Sequence, residues 1–212
     1  MTIYAIPALG TTGDIFQYLH IKNAKIIVLD WPKLSRNDTM HTYAEKFLPS
    51  INRLEPFYLM GVSLGGMLCS EVSLLAKPKK TIIISSCKCS NEIPEPVQLL
   101  SEFPLHDYLG EKLLRELTIN SRQILGFDKS YLPQFKKMVY SMQPGYFRNT
   151  IHCVANWKNN LCKRDDIIHL HGDADKLLPI SNVKPDYVIK GGTHAMVVNN
   201  ANQISVILNS LI

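Results

Sequence analysis

Short apolar runs alternate along the chain with longer stretches in which apolar side chains recur three or four positions apart. The short runs predict strands, and the longer spacing predicts helices. Strands are predicted at 2–6, 25–29, 57–60, 81–85, 166–170 and 186–189. Helices are predicted at 15–19, 40–54, 64–76 and 203–211, with Pro49 interrupting the second. Because strands and helices follow one another in turn, the pattern favours an α/β fold, doubly wound around a mainly parallel sheet of about six strands.

The pattern changes between residues 87 and 162, where helical spacing replaces the strand-like runs. Apolar stripes recur at 109–117, 132–139 and 147–157. The segment starts after the fourth predicted strand and ends before the fifth, so both of its ends must lie at the same edge of the sheet. We therefore expect residues 1–86 and 163–212 to form the core and residues 87–162 to form a helical lid within one compact unit. The alternative is an insert that packs on the flank of the sheet and only enlarges the core.

The composition is that of an ordinary globular protein, and it argues against several classes of partner. The chain has 212 residues, 46% of them hydrophobic, and a net charge of +5, which suits one domain with a sizeable core. The only tight basic cluster lies at 77–80, between a predicted helix and a strand, so no nucleic-acid partner is expected. No apolar run reaches the length of a membrane span, and the first residues lack the features of a signal peptide. We expect a cytoplasmic protein without a membrane partner.

The cysteines and glycines do not form the usual motifs of metal or nucleotide sites. The five cysteines include no C-x-x-C pair, and Cys87 and Cys89 stand too close for an ordinary structural zinc pair. We therefore expect free thiols in a reducing compartment, and no metal. The glycine loop at 10–13 lacks the G-x-G-x-x-G and G-K-[ST] elements of dinucleotide and phosphate loops, so no cofactor is expected.

The sequence Gly61-Val62-Ser63-Leu64-Gly65 stands between a predicted strand and a predicted helix. A turn this sharp strains the backbone at 63 and leaves no room for side chains at 61 and 65, so glycine at both outer positions has a physical reason. The Ser63 hydroxyl would be exposed at the tip of the turn. The N–H of Leu64 and the positive end of the new helix would favour an oxyanion there. A plain strand–helix turn could carry the same five residues by chance, so the rest of the chain must decide.

A base and an acid for a serine nucleophile follow in later loops. A serine hydroxyl needs a base within hydrogen-bond reach, and the base needs an acid that fixes its tautomer. The fifth predicted strand is followed by a run that holds Asp173 and Asp175, and the sixth by a run that holds His194. The carboxyl ends of parallel strands share one edge of the sheet, where ligands bind. The chain therefore presents serine, carboxylate and histidine, in that order, at one edge.

Four pieces of the chain together resemble the α/β-hydrolase superfamily. They are G-V-S-L-G at 61–65, H-G-D-A-D-K-L-L-P at 171–179, G-G-T-H at 191–194 and P-A-L-G at 7–10, so the resemblance spans nearly the whole chain. The resemblance implies Ser63 as nucleophile, His194 as base and Asp175 as acid. It also implies an oxyanion hole formed by the backbone N–H groups of Leu9 and Leu64.

The chain departs from the family pattern at the first oxyanion donor, where Pro7-Ala8 replaces the usual His-Gly pair. Asp173 is the other candidate acid, but the family spacing H-G-x-x-D selects Asp175 and leaves Asp173 as a turn residue that bonds its own loop. The predicted sheet begins at the strand before the 7–10 loop, so the two leading antiparallel strands of larger members are expected to be absent. The other histidines, including His169 and His171, are expected to be structural.

These features together predict a serine hydrolase. The expected substrate is a small-molecule ester or thioester, cleaved through an acyl-enzyme by a carboxylesterase-like or thioesterase-like enzyme. An acyltransferase, a lyase or a perhydrolase would use the same residues, and a non-catalytic ligand-binding protein could retain them. The aromatic residues of the lid hint at an apolar acyl or alcohol group, and we expect Tyr131, Phe147 and Trp157 to set the preference among acyl chain lengths.

Overall fold

In the computed structural model, which describes residues 1–212, six strands form a single sheet. They are β1 (Thr2–Ile6), β2 (Lys25–Val28), β3 (Phe57–Val62), β4 (Lys80–Ile84), β5 (Ile167–Gly172) and β6 (Tyr187–Ile189). The order across the sheet is β2-β1-β3-β4-β5-β6, and every neighbouring pair is parallel. The prediction of a parallel sheet of six strands is confirmed. Because all strands run the same way, the loops that follow them meet at one edge.

Nine α-helices connect and flank the strands. They are α1 (Met40–Glu45), α2 (Leu64–Ala76), α3 (Glu95–Gln98), α4 (Glu111–Asn120), α5 (Arg122–Leu125), α6 (Leu132–Ser141), α7 (Tyr146–Ala155), α8 (Met196–Asn199) and α9 (Ala201–Leu211). Short 3-10 turns lie at Gly13–Phe16, Leu48–Ser50, Ser90–Glu92, Leu99–Ser101, Leu105–Asp107, Lys129–Tyr131 and Ile180–Asn182. The helix predicted at 40–54 ends at Glu45, and Pro49 lies in the 3-10 turn that follows, since proline does not continue an α-helix. None of the helices is both long enough and apolar enough to span a membrane.

The four central strands of the sheet, β1, β3, β4 and β5, are largely buried on both faces, whereas the edge strands β2 and β6 are partly exposed. Along β1, Ile3 and Ala5 belong to one core cluster, whereas Tyr4 and Ile6 belong to the other. This alternation follows from the period of two along a strand, and burial of both faces explains why the strands are continuous apolar runs. All 6 residues of β3 are buried, so the strand that leads to Ser63 lies deep in the molecule.

The helical segment, which we define as residues 87–162, shares the core of the sheet. It contains α3 to α7, and its buried side chains Phe135, Val139 and Phe147 belong to the same cluster as Ile3 of β1. The segment therefore adds core to the molecule. Residues of α3, α5 and α7 also line the same cavities as Ser63, so the segment borders the carboxyl edge of the sheet as well.

Two of the five cysteines form a disulfide. Cys89 is bonded to Cys162, 73 positions away, with a Cα–Cα separation of 5.1 Å. The bond can form because β4 and β5 are neighbours, so the start and the end of the helical segment lie side by side. The prediction of free thiols is wrong for these two residues, and the argument from free thiols to a reducing compartment fails with it. Cys69, Cys87 and Cys153 are free and buried.

Candidate active site

Ser63 occupies the sharp turn between β3 and α2, in a backbone conformation that few residues other than glycine adopt. Its φ is 53° and its ψ is −119°, which lies outside the common regions for residues with a side chain. A Cβ placed on Gly61 would collide with the Gly65 backbone, and a Cβ on Gly65 would collide with the carbonyl oxygens of Ile6 and Pro7. The crowding expected from the sequence is therefore present on both sides of the serine.

Hydrogen bonds hold this turn in place. The Ser63 N–H donates to the Ile84 carbonyl at the end of β4, at 2.9 Å. The Ser63 carbonyl accepts from the Ser86 hydroxyl at 2.6 Å, and from the N–H groups of Gly66 and Met67 at 2.9 and 3.1 Å. With both backbone groups of Ser63 bonded, the direction of its side chain is fixed by the strand ends around it.

The structure brings Ser63, His194 and Asp175 into one hydrogen-bonded chain. The Ser63 Oγ lies 2.9 Å from His194 Nε2, and His194 Nδ1 lies 2.8 Å from Asp175 Oδ2. The three residues are only 7%, 5% and 5% exposed, respectively. His194 comes from the loop between β6 and α8, and Asp175 from the loop after β5. Because Nδ1 faces a carboxylate, it carries the imidazole proton, which leaves Nε2 to accept from the Ser63 hydroxyl.

The carboxylate of Asp175 is held in its ionised form despite its burial. Burial raises its pKa, but the hydrogen bond from His194 and the N–H of Leu178 outweigh that effect, so the pKa lies below its ordinary value. Oδ1 accepts from the backbone N–H groups of Leu177 and Leu178, both at 2.9 Å. The acid loop thus fixes the position of one carboxylate oxygen and presents the other to the histidine.

Asp173, the other acid considered from the sequence, plays a different part. Its Oδ1 accepts from the Gly191 N–H at 2.6 Å, and the bond is exposed. It therefore ties the acid loop to the histidine loop, rather than bonding its own loop as expected. The His194 Nδ1 is already bonded to Asp175.

Two buried histidines lie behind Asp175. The His171 Nε2 is 2.8 Å from the Leu178 carbonyl and 3.6 Å from Asp175 Oδ2, and the His171 Nδ1 is 3.0 Å from His169 Nε2. Burial lowers the pKa of both imidazoles, and for His169 the pKa lies well below its ordinary value. Both side chains are accordingly neutral at pH 7, and His171 supports the acid loop through Leu178.

Two backbone N–H groups beside Ser63 make no hydrogen bond within the chain. Leu64 is the first residue of α2, so its N–H has no partner in the helix, and Leu9 follows β1 in the loop at the same edge. Leu9 lines both of the cavities that contain Ser63. A negative oxygen formed beside Ser63 would face the positive end of α2.

The larger of two apolar cavities at Ser63, which we call the Met67 cavity, has a volume of about 280 Å³. It lies between α2, the region around α3, and α7. Its lining residues are Leu9, Ser63, Leu64, Met67, Ile93, Pro94, Val97, Leu100, Thr150, Ile151, Val154, Leu177 and Leu178. None of them is charged.

The smaller cavity, which we call the Phe135 cavity, has a volume of about 160 Å³. It lies between the histidine loop and the α4 to α6 part of the helical segment. Its lining residues are Ala8, Leu9, Ile15, Val62, Ser63, Thr118, Ser121, Leu125, Phe127, Phe135, Leu177, His194, Ala195 and Val197. Of the two cavities, only this one is lined by His194.

The three aromatic residues singled out from the sequence line neither cavity at Ser63, although two other aromatic residues of the helical segment do. Tyr131, Phe147 and Trp157 line neither cavity, whereas Phe127 and Phe135 line the Phe135 cavity. The Trp157 Nε1 donates instead to the buried Glu71 carboxylate at 2.7 Å. Helical periodicity reports which face of a helix is buried, but it does not report whether that face meets another side chain or a cavity.

An open groove of about 890 Å³, larger than either cavity at Ser63, lies elsewhere and is lined by none of Ser63, Asp175 and His194. The buried Glu71 carboxylate lies in its wall. Its Oε1 accepts from Trp157 Nε1 at 2.7 Å and from Asn159 Nδ2 at 2.8 Å, and its Oε2 lies 3.2 Å from His41 Nδ1. Because those bonds already satisfy the carboxylate, size alone does not make this groove the reactive site.

Solved structures with the same fold include esterases and thioesterases. A lipase-esterase related protein from Clostridium acetobutylicum matches with a TM-score of 0.73 at 16% identity, over 100% of this chain and 94% of that one. MenH from S. aureus matches with a TM-score of 0.75 at 16% identity, over 99% of this chain and 92% of its own. The RedJ thioesterase of the prodiginine pathway in Streptomyces coelicolor matches with a TM-score of 0.69 at 14% identity, over 100% of this chain and 85% of its own.

The chain therefore has the α/β-hydrolase fold over its whole length. No protein-family model and no curated protein sequence matches it. One fold hosts many reactions, so the chemistry has to be argued from the site.

Proposed function

We propose that the protein is a serine hydrolase that cleaves a small-molecule ester or thioester through an acyl-enzyme. The observation that carries the proposal is the chain of two hydrogen bonds from Ser63 Oγ through His194 to Asp175, at 2.9 and 2.8 Å. These distances suit activation of a serine by a base and an acid, which supports Ser63 as nucleophile, His194 as base and Asp175 as acid. The fold shared with esterase and thioesterase structures adds support.

In the proposed reaction, Ser63 Oγ attacks the acyl carbon while its proton passes to His194 Nε2. The charged imidazole is stabilised by the ionised Asp175, whose loop amides keep the carboxylate facing Nδ1. The carbonyl oxygen becomes an oxyanion, which the N–H groups of Leu64 and Leu9 would stabilise. His194 then gives its proton to the departing alcohol or thiol. A water molecule, activated by the same imidazole, releases the acid and restores Ser63.

A fluorophosphonate probe tests this proposal directly, because it modifies only an activated serine. We expect the probe to label one residue, Ser63, and Ser63→Ala to abolish labelling and to lower kcat for ethyl butyrate hydrolysis by at least about 10³-fold. Ser70→Ala is the matched control. Ser70 is a buried serine of α2 whose hydroxyl bonds the Gly66 carbonyl, so its loss should leave labelling intact.

Labelling of a well-folded wild-type sample at another serine, or at none, would contradict the triad assignment. Acyl transfer is separated from hydrolysis by adding an alcohol acceptor during turnover. A product ester formed in preference to the free acid would make the protein a transferase that uses the same residues.

A further inference from the structure

The two cavities diverge from the nucleophile and share only Leu9, Ser63 and Leu177. An acyl carbon held at Ser63 Oγ carries two arms, the acyl chain and the leaving group, and each cavity can take one of them. We infer that the substrate is a neutral ester whose medium-length hydrocarbon acyl chain lies in the Met67 cavity and whose shorter, uncharged alcohol lies in the Phe135 cavity. This inference rests on the proposed function.

The position of His194 decides which arm enters which cavity. The proton taken from Ser63 must return to the leaving oxygen, so that oxygen has to come within hydrogen-bond reach of His194 Nε2. His194 lines the Phe135 cavity and not the Met67 cavity, which is lined instead by Leu64. The leaving group therefore occupies the Phe135 cavity. The acyl chain then runs the other way, past the Leu64 N–H.

The Met67 cavity suits a hydrocarbon chain. Apart from Ser63 and Thr150, the side chains that line it are apolar, and none is charged. A carboxylate or phosphate placed there would lose its hydration and gain no cation, only the unpartnered hydroxyl of Thr150, whereas each methylene would gain from leaving water. A water molecule takes about 30 Å³ of the liquid, and a methylene group is of similar size, so the cavity of about 280 Å³ holds a chain of about nine such groups.

The Phe135 cavity suits a short, uncharged alcohol. By the same measure its volume of about 160 Å³ holds about five heavy-atom groups. Besides Ser63, two residues with hydroxyl groups line this cavity, and both hydroxyls already donate a hydrogen bond within the protein. The Thr118 hydroxyl donates to the Leu114 carbonyl at 2.9 Å, and the Ser121 hydroxyl donates to the Thr118 carbonyl at 2.7 Å. Neither cavity is lined by lysine or arginine. A leaving group much longer than about five heavy-atom groups would have to extend beyond the cavity, so a simple ester of a short alcohol fits the site better than a carrier-bound thioester.

The acyl side is tested with ethyl esters of straight-chain acids from two to sixteen carbons, followed by proton release. For wild type, we expect kcat/KM to rise by up to about fourfold for each added methylene until the chain has about nine carbons, and then to fall. Val97→Phe fills the Met67 cavity from half-buried α3. It should move the optimum to shorter acids, so that kcat/KM falls more for ethyl octanoate than for ethyl acetate.

The alcohol side is tested with octanoate esters of straight-chain alcohols from one to eight carbons. Leu125→Trp fills the Phe135 cavity from α5. It should lower kcat/KM for the longer alcohols and leave the acyl-length optimum in place. A third comparison uses S-ethyl octanethioate and octanoyl coenzyme A, which share the acyl group and the reacting bond. We expect the charged thioester to react at least about tenfold more slowly.

The outcomes separate this inference from the proposed function. Fluorophosphonate labelling of each variant shows that Ser63 is still correctly folded and active. If ethyl acetate is hydrolysed and Ser63 is labelled, an acyl profile that Val97→Phe does not change overturns the inference alone. An exchange of the two effects between Val97→Phe and Leu125→Trp would reverse the cavity assignment, and a preference for octanoyl coenzyme A would refute the neutral leaving group. If wild type neither labels nor hydrolyses any ester, the proposed function fails as well.

Discussion

Replacing Asp175 by asparagine is a sharp test of the proposed acid, because the surrounding hydrogen bonds determine how the new amide must face. The Asp175 Oδ1 accepts from the N–H groups of Leu177 and Leu178, each at 2.9 Å, and Oδ2 faces His194 Nδ1 at 2.8 Å. Asparagine keeps both backbone bonds only if its oxygen takes the Oδ1 position. Its NH2 group then points at His194 Nδ1.

In that orientation His194 Nδ1 has to accept a hydrogen bond, so the imidazole proton moves to Nε2 and faces Ser63. Turning the amide round would lose two backbone hydrogen bonds, each worth about 1 kcal/mol, and would set NH2 against two N–H groups. A penalty of at least about 2 kcal/mol leaves the productive tautomer at a few per cent. The charge that stabilises the imidazolium is lost as well, so we expect kcat to fall by about 10³ to 10⁴-fold with KM nearly unchanged.

Asp173→Asn is the matched control. The Asp173 Oδ1 accepts from the Gly191 N–H, and an asparagine oxygen can accept the same bond, so kcat should stay within about threefold of wild type. The measurement is steady-state hydrolysis of ethyl butyrate by each variant, with unfolding curves to show that both are folded. A larger loss in Asp173→Asn, or an Asp175→Asn enzyme with more than a tenth of the wild-type kcat, would refute the assignment of the acid.

The disulfide, a buried histidine and the crowded turn each give a stability change of known sign, measurable by urea unfolding. Cys162→Ser should lower the free energy of unfolding by at most about 4 kcal/mol, because the bond closes a loop that spans 73 positions. Dithiothreitol should do the same to wild type, and equal midpoints with and without it would argue against the bond. Burial lowers the pKa of His169 well below its ordinary value. As the pH drops below about 6.5, His169 is therefore protonated in the unfolded chain before it is protonated in the folded protein, and the free energy of unfolding falls. Protonation of His169 in the unfolded chain should lower the free energy of unfolding by at most about 1.4 kcal/mol between pH 7.5 and 5.5, and His169→Gln should flatten this part of the pH profile. Gly65→Ala should destabilise by about 3 kcal/mol, since its Cβ meets backbone oxygens. A Cβ added at Gly110 would have no neighbouring atom within 4 Å, so Gly110→Ala should lower the free energy of unfolding by no more than about 1 kcal/mol.

The central strands could be predicted from the sequence because they are buried on both faces, which favours apolar side chains at successive positions. The runs at 57–60 and 166–170 fell short at one end, since β3 and β5 continue into Val62 and Gly172. Gly61 interrupts the apolar run of β3 before Val62, and His171 and Gly172 end that of β5, so the end of a strand is harder to place than its middle.

The disulfide could also have been predicted from the sequence. The helical segment had to leave and rejoin the sheet at one edge, and Cys89 and Cys162 stand at its two ends. The odd number of cysteines favoured free thiols instead. The residues that line the cavities could not be predicted from the sequence in this way. Val97 and Leu125 lie at a cavity because several helices pack against one another, and a local sequence pattern does not contain that packing.

The proposed mechanism assigns reaction and selectivity to different parts of the chain. Ser63, Asp175 and His194 all lie in loops of 1–86 and 163–212, and the serine turn is fixed by backbone contacts that leave no room for a Cβ. The outer walls of both cavities come from the helical segment, whose side chains touch substrate arms and not the reacting bond in the proposed mechanism. Interactions with remote arms change kcat/KM for one ester relative to another, whereas loss of the proton relay slows every ester alike. Substitutions in the helical segment should therefore redistribute activity among esters, and substitutions in the three loops should lower it for all of them.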